Sequence, residues 1–537
     1  MRGARLPSGH GRRVGHRSVQ GARRRRTAPD RDVAVTGPAP VPDRVREFLS
    51  RDHGHYIDGH WQRSSDAAML ESLNPATGRH LASIARGTVA DVDDAVRAAR
   101  RALTLPAWRE LTPLARGELL HRLAELVDQY ADELALIESL DNGKPMSVAR
   151  AVDVGTTSKL FRYFAGWPSK FEGSTIPLSP RNNLEILNYT VHEPVGVVGA
   201  IVPWNFPVSM ATWKLAPALA MGNTVVLKPA EDTSLSTLRL AELIGEAGFP
   251  PGVVNVVTGT GSVVGAAIAE HPDVDKVAFT GSTEVGRMIT RAALGNMKRV
   301  SLELGGKSPH IALPDADPVE VAAAAAEGIF FNQGQTCTAG SRLYVHNDIY
   351  DDVMNALIDR ARNIRVGPGT DPQTQMGPLV SSRQLATVSS YIDSGVEDGA
   401  VVVAGGGRPV DLPAGNVDGY FLEPTVLVET THRMRVVREE IFGPVLVAMR
   451  WNDLDELVEM ANDSPYGLAA GIWTGDLRAA HRIAGAIQAG TVWINCYNLT
   501  DPASPFGGFK QSGWGREMGR AVLEQYTETK SVWVNIT

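Results

Sequence analysis

Between Val195 and Gly306 the chain repeats one pattern. Short apolar runs rich in Val and Ile (VGVVGAIVPW, NTVVLKPA, GVVNVVTG, DKVAFTGS and RVSLELGG) start roughly 23–29 residues apart. Stretches with apolar residues at helical spacing separate them, over Ala211–Met221, Leu235–Ala247, Val263–Glu270 and Glu284–Ala293. Continuous apolar runs alternating with amphipathic helices predict buried parallel strands with crossover helices. Such a doubly wound α/β unit binds ligands at the carboxyl ends of its strands. Upstream, HYIDGHW (His55–Trp61) reads as a short strand and turn, and NPATG (Asn74–Gly78) as a second turn. Thr88 opens a helix with Asp91 as its capping-box partner, and Val92, Ala95, Val96 and Ala99 follow at helical spacing. Further helical stretches cover Leu111–Asn142 and Ala149–Trp167. A second α/β segment spans about 306–505, with helices at Val319–Phe330 and Ile349–Asn363 and strand-like runs SRLYVH, VVVAGG, PTVLVE and GTVWIN. The chain ends in TKSVWVNIT, an alternating strand with no successor, which predicts pairing with another element or subunit.

Composition narrows the class. A mass of 57.7 kDa implies two or three domains, and no apolar run reaches the ~18–20 residues that span a bilayer. Two cysteines, Cys337 and Cys496, make no disulfide framework, so a reducing cytoplasm is the expected compartment. Without CxxC spacing or a histidine cluster, no metal site is expected. The net charge of −7 is uneven: residues 1–29 hold nine arginines and no acid, so the remainder sets 44 basic against 60 acidic residues. An acidic body argues against nucleic-acid binding. The head lacks a secretory apolar core and reads as disordered.

Candidate chemistry sits at strand ends. Cys337, in FNQGQTC, follows a small polar, glycine-bearing stretch that leaves room around a sulfur, whereas Cys496, in WINCYN, reads as a packed cysteine in an apolar strand. In LELGGKSP, Glu303 lies between Leu302 and Leu304; burial there would raise its pKa and suit it to general-base work, unless it faces water. PWNFP holds Asn205 between prolines, either as an oxyanion donor or as a plain turn asparagine. LKPAE places Lys228 and Glu231 where a ribose could be gripped, or where two charges are merely solvated. In FTGSTEVG, Ser282 either caps a helix or faces a phosphate at its N-terminus. GTGSVVG is not the GxGxxG fingerprint. EEIFGP offers Glu440 as a ribose-binding acid and Phe442 as an aromatic platform.

Taken together, PWNFP, KPAE, FTGSTEVG, LELGGKSP, FNQGQTC, EEIFGPV and PFGGFKQSG, in that order and with Glu303 and Cys337 34 positions apart, strongly resemble the NAD(P)-dependent aldehyde dehydrogenase superfamily in its hydrolytic branch. The resemblance runs from about His55 to the C-terminus. It implies an aldehyde dehydrogenase-like α/β fold of two doubly wound domains plus a small β oligomerisation arm. On that footing 1–44 is the head, 45–175 with 195–305 the NAD-binding Rossmann-like domain, 306–519 the catalytic domain, and 176–194 with 520–537 the arm. The resemblance also implies roles. Cys337 is the nucleophile, attacking as a thiolate; Asn205 and the Cys337 N–H hold the oxyanion; Glu303 activates water. Lys228 and Glu231 bind the adenosine ribose, Ser282 the pyrophosphate and Glu440 the nicotinamide ribose, with Phe442 near the ring; Trp204, Gly281 and Gly286 complete the cofactor set. NAD is the expected cofactor, with NADP used more weakly, and a homodimer or homotetramer is the expected assembly.

FRYFAGWPSKFEGSTIPLSP and LTDPASPFGGFKQSG are most similar to phenylacetaldehyde dehydrogenases, with betaine-aldehyde and general aliphatic enzymes next. The expected pocket wall, Phe206, Met210, Trp213, Phe331, Thr336, Thr338, Thr500 and Phe506, is mostly apolar and favours an aryl or medium-chain alkyl aldehyde. A CoA-acylating enzyme typically lacks the glutamate base, and a non-catalytic homologue would have lost base or nucleophile; Glu303 and Cys337 argue against both.

Overall fold

The structure, a computed structural model, describes residues 41–179 and 184–537. The Arg-rich head up to residue 40 and four residues of the expected arm lie outside the described residues. The order expected from Val45 starts slightly earlier, with a helix at Asp43–Leu49. Val45 and Phe48 are buried in the main core, and Arg44 pairs with Glu133 at 3.0 Å while stacking over the Tyr130 ring. No helix among the described residues is long and apolar enough to cross a membrane.

The repeating apolar runs form five parallel strands, β1 (Val197–Ile201), β2 (Thr224–Lys228), β3 (Val254–Val256), β4 (Lys276–Thr280) and β5 (Arg299–Glu303), in the spatial order β5-β4-β1-β2-β3. The chain winds outward from β1 to β3, then crosses back to β4 on the other side of β1. That reversal makes the carboxyl ends of β1 and β4 the topological switch point, where doubly wound sheets open a crevice. Val is the commonest residue of these strands because both faces are covered by helices, chiefly Val89–Thr104, Pro207–Ala220, Leu235–Ala247 and Thr283–Ala293. The Thr88–Asp91 capping box forms as expected. Leu111–Asn142 is two helices, Pro113–Gln129 and Ala131–Asn142, broken at Tyr130. His55–Ile57 and His60–Gln62 extend the β3 edge as a hairpin.

The second sheet has β6 (Pro309–Ala312), β7 (Arg342–His346), β8 (Val401–Ala404), β9 (Thr425–Val428), β10 (Val445–Trp451), β11 (Ala469–Trp473) and β12 (Thr491–Ile494), in the order β8-β9-β10-β7-β6-β11-β12. Only the β8–β9 pair is antiparallel. Three of these strands, β6, β10 and β11, do not stand out in the sequence: they are short or run on from Gly- and Pro-containing turns, and only their places between β7, β9 and β12 define them.

The end of the chain departs from the expected 519/520 boundary. Gly513–Trp514 pairs antiparallel with β5 in the first sheet, and Met518, Val522, Leu523 and Tyr526 are buried in the core of that first unit. Thr527–Asn535 then pairs along its whole length with Ile186–Pro194 as a two-stranded ribbon. The terminal strand thus has its partner within the chain, yet Trp533, Val534 and Ile536 remain exposed on it.

Candidate active site

Four of the expected residues sit where parallel strands end. Asn205 follows β1, Lys228 closes β2, Ser282 follows β4 and Glu303 closes β5. Each strand delivers its last residue to the same edge of the sheet, so residues up to about 100 positions apart are gathered by topology alone.

Cys337 comes to this edge on a strained approach. The helix Pro318–Phe330 ends, and Asn332, Gln333 and Gly334 follow with φ of 49°, 60° and 69°. Consecutive left-handed residues other than glycine are unfavourable and persist only where surrounding contacts hold them. At Gly334 a Cβ would lie 2.0 Å from the Gly443 carbonyl oxygen, so only glycine fits there. Cys337 is half-buried. The turn that places it packs on Gly305–Gly306: a Cβ at Gly306 would meet the Cys337 carbonyl oxygen at 2.4 Å, and one at Gly305 would meet Glu440 Oε2 at 2.1 Å. The two glycines after β5 therefore let the Cys337 turn and the Glu440 carboxylate close in on Glu303.

Glu303 is buried, with Oε2 lacking a protein hydrogen-bond partner among the described residues. Burial, then the neighbouring Glu517, raise its pKa well above the ordinary carboxyl range, against the pull of Lys214 and Arg516. The sequence alternative of a solvated strand face is thereby excluded. Glu440 is held by the Gly306 N–H at 2.9 Å, and burial raises it to about 7. Burial, Glu440 and Glu303 push the Cys337 thiol up to about 12, while the backbone N–H groups of Thr338 and Cys337 pull it down. With burial and two carboxylates disfavouring the charged sulfur, forming the expected thiolate requires the thiol proton to be taken away.

Asn205 Nδ2 donates to the Gln335 carbonyl at 2.9 Å, and the residue is buried. It is thus fixed beside the cysteine turn and is more than a turn asparagine. Lys228 Nζ meets Glu231 Oε2 at 3.1 Å, and the Gly261 N–H reaches Glu231 Oε1 at 3.4 Å; the pair is poised, not freely solvated. Ser282 Oγ accepts from the Val285 N–H at 3.3 Å, as the plain cap reading has it, leaving the first turn's other N–H groups for an anion. Gly281 lies against the Phe279 ring, and Gly286 against Leu304. Trp204 and Phe442 meet edge to face at 5.1 Å.

The expected pocket residues include two aromatic pairs and three buried neighbours. Phe206 stacks on Phe331 at 6.1 Å and Trp213 meets Phe506 at 5.2 Å; Met210, Thr336 and Thr338 are buried. Thr338 Oγ1 is taken up by Asn498 at 2.8 Å. Thr500 is solvent-exposed, and among the described residues no hydrogen bond ties it to this group. Cys496 lies two residues beyond β12, half-buried in a loop, not in an apolar strand as expected; the strand stops at Ile494 because Asn495 turns to φ 52°.

The sequence reading passed over two ionic residues. Lys214, fully buried in the helix Pro207–Ala220, bonds Glu517 Oε1 at 2.5 Å and Thr280 Oγ1 at 2.8 Å. Both belong to the network that sets the charge of Glu303. A lysine inside the apolar run TWKLAPALA was the available signal, since buried lysines need partners; Glu517, beyond a Gly-rich turn, gave none.

A model described as the aldehyde dehydrogenase family matches residues 61–532. The chain is 48% identical to a phenylacetaldehyde dehydrogenase of Pseudomonas fluorescens, over 94% of this chain and 99% of that protein. It is also 48% identical to retinal dehydrogenase 2 of Gallus gallus, over 90% and 91%. Among solved structures, the NAD+ complex of an aldehyde dehydrogenase from Bacillus cereus superposes with a TM-score of 0.90 at 48% identity, over 93% of this chain and 100% of that one.

Proposed function

The chain belongs to the aldehyde dehydrogenase family, and from that premise we propose that it oxidises an aryl or medium-chain alkyl aldehyde, such as phenylacetaldehyde, to the carboxylic acid with NAD. The observation that carries the reading is the meeting of Cys337, Asn205 and a buried Glu303, whose Oε2 has no hydrogen-bond partner among the described residues, at the carboxyl edge of a parallel sheet. The residues present fit a dinucleotide: the Lys228–Glu231 pair would hold the adenosine ribose, the helix start at Ser282 would take the pyrophosphate, and Glu440, with Trp204 and Phe442, would hold the nicotinamide end. When bound, NAD supplies the acceptor for the hydride that leaves the substrate carbon.

In this reading, Cys337 gives up its thiol proton to water and its Sγ bonds the aldehyde carbon as a thiolate. The carbonyl oxygen becomes an oxyanion, met by Asn205 Nδ2 and the Cys337 N–H. Loss of hydride leaves a thioester on Cys337. Glu303 takes a proton from water, which attacks the thioester carbon; the C–S bond breaks, the acid leaves, and Cys337 recovers a proton. Burial, which raises its pKa, makes Glu303 a stronger base toward that water once it is ionised.

The aromatic pairs Phe206–Phe331 and Trp213–Phe506 support an apolar substrate, as do the phenylacetaldehyde and retinal dehydrogenases among its relatives. Betaine aldehyde and a broad range of aliphatic aldehydes are the competing substrates, betaine aldehyde because aromatic walls also attract a quaternary ammonium. The exposed apolar residues of the ribbon, with Leu187, Trp533 and Ile536, support assembly as a homodimer or homotetramer; a cytoplasmic location follows from the sparse cysteines. NAD reduction with phenylacetaldehyde, octanal and betaine aldehyde, each with and without CoA, tests the reading. The highest kcat/KM is expected for phenylacetaldehyde, independent of CoA. Cys337→Ala should bind NAD normally and turn over below about 1% of wild type; higher residual activity would refute the nucleophile.

A further inference from the structure

Asn205 is held from behind by an ionic group to which the reaction assigns no role. Lys144, just past the helix Ala131–Asn142, is fully buried. Its Nζ bonds Asp153 Oδ1 at 2.8 Å and the main-chain carbonyl of Asn205 at 2.8 Å, and it lies 4.3 Å from the centre of the Phe206 ring. One ammonium thus grips both residues flanking the 205–206 peptide, the amide-bearing Asn205 and the pocket residue Phe206. The same Asn205 carbonyl accepts a second bond, from Asn332 Nδ2 at 3.0 Å. Asn332 Nδ2 also reaches the Gln335 carbonyl at 3.2 Å, the oxygen to which Asn205 Nδ2 donates at 2.9 Å. Asn205, Asn332 and Gln335 therefore close a ring of hydrogen bonds two residues before Cys337, with Lys144 fastened to it.

This arrangement is expensive. Glu138 Oε1 stands 3.9 Å from the ammonium and has no hydrogen-bond partner among the described residues, while its Oε2 accepts from the Val208 N–H at 3.3 Å. Two buried carboxylates face one lysine. A hydrophobic side chain would cover Phe206 without burying charge, and buried ion pairs contribute little net stability. What such a chain could not do is hold the Asn205 carbonyl.

We propose that Lys144, together with Asn332, is a positioning residue for the reaction: by clamping the main-chain carbonyl of Asn205 it fixes the side-chain amide that meets the oxyanion. The inference rests on the role of Asn205 given above. Displacing an oxyanion donor by about 1 Å costs on the order of 10–100-fold in rate.

Lys144→Met keeps the length and removes the donor. In enzyme shown to be folded by circular dichroism and NAD titration, kcat should fall roughly 10–100-fold with KM for aldehyde and Kd for NAD near wild type. Because the effect runs through Asn205, Lys144→Met should cost nothing further in an Asn205→Ala background, where a general loosening of the fold would still be felt. Asn332→Gly, which suits the left-handed backbone there and removes the second donor, should lower kcat in the same direction and carries the test should Lys144→Met not fold. Wild-type kcat in folded Lys144→Met or, failing that, in Asn332→Gly would overturn the clamp, and so would multiplicative effects of Lys144→Met and Asn205→Ala. Wild-type turnover in Asn205→Ala alone would overturn the oxyanion assignment and the clamp with it, a result distinct from failure of the nucleophile, which Cys337→Ala reads out separately.

Discussion

Replacing Glu303 by glutamine separates the two halves of the proposed reaction. The amide has the shape of the carboxyl but takes no proton, so hydrolysis of the thioester loses its base. General-base catalysis is worth about 10²–10⁴ in rate, or about 3–5 kcal/mol at 1.36 kcal/mol per tenfold, and steady-state turnover should fall by that factor. Formation of the thioester should survive. Glu303, when ionised, is one of the two carboxylates that raise the Cys337 thiol pKa, and the glutamine adds no such opposing charge. Stopped-flow NADH absorbance should show a burst near one equivalent per active site followed by a slow phase, and mass spectrometry of the stalled enzyme should find an acyl adduct on Cys337. The fold supplies an independent check. Glu303 is raised in the folded state, so it holds a proton the unfolded chain has lost, and wild-type stability from this group declines as pH rises above the ordinary carboxyl value. The glutamine variant lacks that slope and should gain stability relative to wild type as pH rises. No burst and no adduct would show that Glu303 acts on Cys337 before it acts on water, and the division of labour proposed here would be wrong.

Three further outcomes follow from other parts of the structure. NAD should be preferred over NADP, because the Glu231 carboxylate beside Lys228 repels a 2′-phosphate; Glu231→Gln should narrow the NAD/NADP ratio of kcat/KM by roughly tenfold, and an unchanged ratio would remove Glu231 from the ribose site. Asp141 accepts from Ser72 Oγ at 2.7 Å and from the Leu235 N–H at 2.9 Å, and burial raises it to about 7; its stabilising proton is lost as pH climbs from about 4 through 7, so Asp141→Asn should lose less stability than wild type between pH 5 and pH 7.5 in urea titrations, and parallel profiles would contradict this. Phe48, 3% exposed on the first described helix, should cost about 3 kcal/mol when cut to alanine, and a loss under about 1 kcal/mol would mean the helix is not docked in solution.

Much of the first sheet could be read from the chain because its strands are buried on both faces. Val197–Ile201 is apolar throughout, and Thr224–Lys228 and Lys276–Thr280 are apolar between polar ends; runs of that kind between amphipathic helices admit few other folds. The residues that end those strands were legible for the same reason: Asn205, Lys228, Ser282 and Glu303 are the polar positions where apolar runs stop, and a parallel sheet brings such ends to one edge. Cys337 was conspicuous through its rarity and its polar neighbours. Tertiary structure alone decided the electrostatics. Whether Glu303 faced water or the interior was open in the sequence, because strand alternation serves either; the approach of Glu517 and the enclosing helices settled it, and the same enclosure raises the pKa of the Cys337 thiol. Lys144, Lys214 and Glu517 were hidden for a related reason. A charged side chain acquires its meaning from its partner, and these partners lie nine residues away for Lys144 and Asp153 but 303 apart for Lys214 and Glu517. The return of Gly513–Trp514 to the first sheet was equally invisible, since a two-residue strand has no period to read and exists only because β5 offers it an open edge.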